Sequence, residues 1–74
     1  MPVAFNLVDT GKHYAIYAAD ASSFALELLD AFTDALNYNN LEFVQMLPTG
    51  AMFLVRAKPG NFAPFYPPTI WAVL

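Results

Sequence analysis

The chain has no cysteine, so a disulfide framework, a thiolate nucleophile and a Cys-ligated zinc are all excluded. Positive charge is nearly as scarce. Lys12, Arg56 and Lys58 stand against Asp9, Asp20, Glu27, Asp30, Asp34 and Glu42, a net charge of −3. Nucleic-acid binding neutralises phosphates with clustered Lys and Arg, which three scattered cations cannot supply, so no nucleic-acid partner is expected. Only three glycines occur, and Gly11, Gly50 and Gly60 each fall in a turn, leaving none for a phosphate-cradling loop. No cofactor is expected.

The single histidine restricts catalysis in the same way. Any nucleophilic constellation would have to join His13 to Thr10, Ser22 or Ser23, and nothing in their spacing supports one. Asp30 and Asp34, at i and i+4, could present oxygens to a hard cation, but a solvated acidic stripe is the simpler reading, so no metal site is assigned. A non-enzymatic protein is therefore expected. A membrane span needs about 18 consecutive apolar residues. The longest uncharged stretch, Pro59 to Leu74, is interrupted by Pro59, Pro64, Pro67, Pro68 and Gly60, so no span is expected. Nor does a basic region followed by an apolar one open the chain, because Met1-Pro2-Val3 passes directly into an alternating segment. No export signal is read, which favours a cytoplasmic or virion-associated location.

What the chain has in excess is apolar surface. Of its 74 residues 58% are hydrophobic and 12% charged, where soluble domains average about 45–50% and 25%. Such a composition excludes ordinary disorder. It also exceeds what a single small domain hides, since about 60 residues bury only about 60% of the surface their unfolded chain exposes. Some apolar surface must be hidden by something else: the chain's own arm, another copy or a different partner.

Alternation marks the first strands. Val3, Phe5 and Leu7 oppose Ala4, Asn6 and Val8; Asp9-Thr10-Gly11 then turns the chain, with glycine placed for a positive φ; and Lys12–Ala18 alternates again. Tyr14 and Tyr17 fall on opposite faces, one of them toward the core. Asp20, Ser22 and Ser23 offer caps for a helix over Phe24–Leu36, in which Ala25, Leu28, Leu29, Phe32, Ala35 and Leu36 share one face and Glu27, Asp30, Asp34 and Asn37 the other. Asn37-Tyr38-Asn39-Asn40 ends it, since Asn tolerates the left-handed conformation of helix C-termini.

Leu41–Leu47 and Ala51–Ala57 form a second hairpin about Pro48-Thr49-Gly50. Alternation places Leu41, Phe43, Gln45, Leu47, Phe53 and Val55 on one face, and Val44, Met46, Met52 and Leu54 on the other. Arg56 and Lys58 could bind an anion or a partner's carboxylate, but pairing with Glu42 across the hairpin or simply keeping the edge soluble is the commoner use of edge charges. The two turns also align as Thr10-Gly11-x-x-Tyr14-Ala15-Ile16-x-Ala18 and Thr49-Gly50-x-x-Phe53-Leu54-Val55-x-Ala57, a pattern loose enough to arise without duplication.

The fold class is thus α+β: a β-β-α-β-β unit over residues 1–60, an antiparallel sheet of two hairpins with one amphipathic helix, followed by an extended Pro/aromatic arm over 61–74. One helix covers one side of a sheet, and here both sides are apolar. The arm carries Phe62, Phe65, Tyr66 and Trp71, the residue types that anchor interfaces, and can complete the chain's own core or reach onto a neighbour.

The expected function is a structural or assembly protein that self-associates or joins a larger complex through its sheet face and its arm. Extended arms are common in virion shells, so a viral structural or accessory protein is one home this architecture offers by analogy. The alternative is a small inhibitor or regulator that docks one protein partner through Glu27, Asp30 and Asp34. A third possibility is a small-molecule pocket between helix and sheet around Phe32, Tyr14 and His13.

Overall fold

A computed structural model describes residues 1–20, 26–48, 51–60 and 64–74. The elements run β1 (Pro2–Thr10), β2 (Tyr14–Ala19), α1 (Leu26–Tyr38), β3 (Leu41–Met46), β4 (Met52–Ala57) and β5 (Thr69–Val73). The strands make one antiparallel sheet in the order β3-β4-β2-β1-β5, with α1 on one side, so the chain is a small α+β fold. The capping residues Ser22 and Ser23 lie outside the described residues, as do Thr49 and Gly50 of the second turn.

The helix lies closest to the two edge strands, β5 and β3, and farther from the three inner ones. Side-chain size matches this geometry. Ala31 and Ala35 meet the β5 side, where Ala72 is fully buried, and small residues let the backbones approach. Over the inner strands the gap is filled by rings: Phe32 of α1 stacks on Phe5 of β1 at 3.9 Å between centroids, 5.7 Å from Phe53 of β4 and 6.4 Å from Tyr17 of β2. Leu28, Leu36, Leu41, Val55 and Ile70 close the cluster. The helix ends as its Asn run dictates, with Asn39 bonding back to Ala35 and Leu36 and Asn40 at φ 59°.

The end of the arm adds a fifth strand that the prolines upstream of it disguise. Segment 64–68 passes the end of the sheet, where the Tyr17 hydroxyl donates to the Pro67 carbonyl at 2.7 Å and the Tyr66 hydroxyl to the His13 carbonyl at 2.8 Å. Thr69–Val73 then pairs with β1, so in this chain the arm docks on its own sheet. Burial holds the Tyr17 hydroxyl in its protonated form, with help from neighbouring Tyr66, and pushes its pKa up to about 12.

Two β-bulges change which residues share a face. In β3 the register steps from Phe43↔Val55 to Gln45↔Leu54, leaving Val44 as the extra residue. Gln45 therefore joins Leu54 on the side away from the helix, and Met46 pairs with Phe53 on the helix side, the reverse of simple alternation. β1 does the same at Val8, between Leu7↔Tyr17 and Asp9↔Ile16.

The hairpins do correspond, but not as the turn alignment has them. Phe5, Leu7 and Asp9 match Leu41, Phe43 and Gln45, while Ala19, Tyr17 and Ile16 match Ala57, Val55 and Leu54. Ile16 lies opposite Leu54, so a pseudo-twofold axis passes through that pair. The Thr-Gly alignment is one residue out of step, and a slip of one exchanges the faces of a strand. Gly11 also departs from expectation. Its N–H bonds the Tyr14 carbonyl at 2.8 Å, and the positive φ values among the described residues are at Asn40 and Gly60.

Candidate interaction surfaces

Two surfaces emerge from this framework. The first is the side of the sheet away from α1, which no described element crosses. Cross-strand partners there run Ile16↔Leu54, Ala18↔Met52, Tyr14↔Arg56 and Ala4↔Trp71. Ile16, Ala18, Met52 and Leu54 are half-buried by their neighbours alone, and Tyr14, Val8 and Trp71 are more exposed. Beside Tyr14, Ile16 and Leu54 lies a shallow hollow of about 290 Å³ that Asp9, Lys12 and His13 border at the turn. Arg56 bonds Glu42 on this face, and the bond holds the guanidinium in its charged form.

The second surface is a groove of about 500 Å³ between α1 and the outer edge of β5. Glu27, Asp30 and Asp34 line its helical wall, with Ala31 and Ala35 below, and Trp71, Val73 and Leu74 line the strand side. The fold thus brings the acidic row beside the outer edge of β5, two segments that the sequence separates by about forty positions, while the Trp71 side chain alternates toward the helix-free face opposite Ala4. The other arm aromatics are placed differently. Tyr66 packs against the core and bonds the first turn, Phe65 is 73% exposed, and Phe62 lies outside the described residues.

Phe32, Tyr14 and His13 do not share a cavity. Phe32 is enclosed among rings, and Tyr14 and His13 are exposed at the opposite face and the turn. Among the described residues no group of three or more His, Asp or Glu side chains is placed to hold a metal ion, and no helix is long and apolar enough to cross a membrane.

No protein-family model, curated protein or solved structure matches this chain.

Proposed function

We propose that the protein is a non-enzymatic assembly module whose helix-free sheet face packs on the same face of a second copy. The observation that carries this reading is the apolar row about Ile16 and Leu54 on the uncovered side of a sheet whose other side already holds a complete core. A sheet face of this kind is ordinarily polar when it faces water.

Charge favours a second copy as the occupant. Glu42 and Arg56 neutralise one another within each face, and Asp9, which pairs with Ile16 beside the centre, borders the hollow at the turn together with Lys12, so the face carries charge of both signs. The two longer dimensions, 34 and 23 Å, cap the face at roughly 780 Å², so the dimer needs most of it to approach the about 800 Å² per partner of a standard interface. A twofold contact sets the row about Ile16 and Leu54 of one copy against the same row of the other, apolar on apolar.

Leu54→Lys tests the reading, because it sets a charge at the centre of the face without touching the core. In sedimentation the wild type runs as a dimer and the variant as a monomer, with unchanged circular dichroism. A variant that associates as the wild type does would remove the sheet face from the account.

A further inference from the structure

The two edges of the sheet are unequal. β3 is blunted by its bulge at Val44, a device that keeps sheet edges from pairing. Among the described residues β5 carries no bulge, proline or charge that would protect its edge. Its register with β1 runs unbroken from Pro2↔Val73 to Asn6↔Thr69, and Thr69-Ile70-Trp71-Ala72-Val73 contains no proline and no charge.

The hydrogen-bond pattern fixes which backbone groups β5 presents. At one end the Leu74 N–H donates to the Met1 carbonyl, at 3.2 Å, and at the other the Leu7 N–H donates to the Pro68 carbonyl, at 2.9 Å. Antiparallel pairs exchange bonds at every second residue, so Ala72 and Ile70 turn their amides toward β1. Thr69, Trp71 and Val73 turn theirs outward, along the groove whose far wall is Glu27, Asp30 and Asp34.

We infer that this edge accepts an extended, basic segment of another protein as a sixth strand, with alternate Lys or Arg side chains over Glu27, Asp30 and Asp34. The backbone of the guest pairs with Thr69, Trp71 and Val73. Its side chains alternate between the two sides of the sheet: every second one faces the carboxylates of α1, and the intervening ones lie beside Trp71 and Val73 on the helix-free side. The spacings agree. Glu27 to Asp34 rises about 10.5 Å along a helix, and three alternate positions of a strand span about 13 Å, a difference within the reach of a lysine side chain.

Charge selects the guest. The groove holds three of the chain's six carboxylates, and none of its three basic residues is among the groove's described lining. A second β5 laid edge to edge would set two such rows side by side, which like-charge repulsion opposes. The β5 edge meets the helix-free face at Trp71 but lies away from its centre at Ile16 and Leu54, so each is tested by its own variant.

A synthetic Lys-Val-Lys-Val-Lys-Val peptide, blocked at both ends, is the probe, and Trp71, the chain's only tryptophan, reports from the β5 edge, where a guest strand would lie beside it. Titration into the full chain is expected to shift Trp71 emission saturably and to slow amide exchange at Thr69, Trp71 and Val73. Asp30→Asn and Asp34→Asn are each expected to weaken binding by about 2- to 5-fold, the range of exposed ion pairs. The same peptide N-methylated at alternate residues loses its edge donors and is expected not to bind, and the Glu-Val counterpart is expected to bind far more weakly. Equal binding of the methylated peptide, protection elsewhere on the chain, or no saturable binding would each overturn the inference.

Discussion

Removing the ring of Phe32 tests whether the aromatic cluster holds the two layers together. Phe32 is fully buried, stacked on Phe5 with a 10° angle between ring planes, and Phe53 and Tyr17 approach it from the side. Phe32→Ala loses the transfer energy of the ring and leaves a cavity among three other rings, a cost of about 3–5 kcal/mol. Aromatic pairs add about 0.5–1.5 kcal/mol beyond area, which sets the expectation at the top of that range. A chain of 74 residues has a total stability of roughly 4–11 kcal/mol. The variant therefore loses about a third of its stability at least, and in a marginal wild type all of it. Urea denaturation followed by circular dichroism reads this directly: with m near 1 kcal/mol/M, the midpoint falls by about 3–5 M, or the variant starts unfolded. Phe32→Leu keeps much of the volume and is expected to cost about 1–2 kcal/mol. If the alanine variant were no less stable than the leucine variant, Phe32 would not lie at the centre of the cluster.

Three further predictions follow from local geometry. Tyr17 has a folded pKa near 12 against about 10 unfolded, so the stability its neutral hydroxyl contributes is complete below pH 10 and lost as pH rises through 12; denaturant midpoints across that window read the fall, and Tyr17→Phe flattens it. Asn40 sits at φ 59°, so Asn40→Gly is expected to be neutral or slightly stabilising and Asn40→Val to cost about 1–2 kcal/mol, as thermal melts would show. A chain ending at Gly60 loses buried Ile70 and Ala72, the partner strand of β1 and the acceptor of the Tyr17 hydroxyl, and is expected to be unfolded by circular dichroism; a cooperative melt in that fragment would contradict the role given to β5.

Much of this architecture is legible in the residues themselves. The helix over Leu26–Tyr38 follows from a 3.6-residue period that puts Leu28, Phe32 and Leu36 on one side and Glu27, Asp30 and Asp34 on the other. The Glu42–Arg56 pair and the division of Tyr14 from Tyr17 follow from strand alternation. The bulges do not, because an extra residue such as Val44 leaves a sequence that still alternates and only its partner strand reveals the step. That is why Gln45 and Met46 exchange faces.

β5 is hidden by Pro64, Pro67 and Pro68 just before it, although Ile70 and Ala72 alternate with Trp71 and Val73 as a strand should. The β5 groove is least legible of all. Its walls come from segments far apart in the chain, and only the sheet order, which sets β5 at the edge beside α1, brings Asp30 and Asp34 beside the outer edge of that strand. The placement of Tyr66 follows the reading in which the arm completes the chain's own core: its ring packs inward and its hydroxyl ties the arm down.

The most direct test of the proposed assembly role is the solution mass of the full chain by light scattering over a wide concentration range. Packing of sheet faces predicts a species of twice 8.2 kDa that dissociates on dilution. A mass of 8.2 kDa at every concentration would contradict self-association through the apolar face of the sheet.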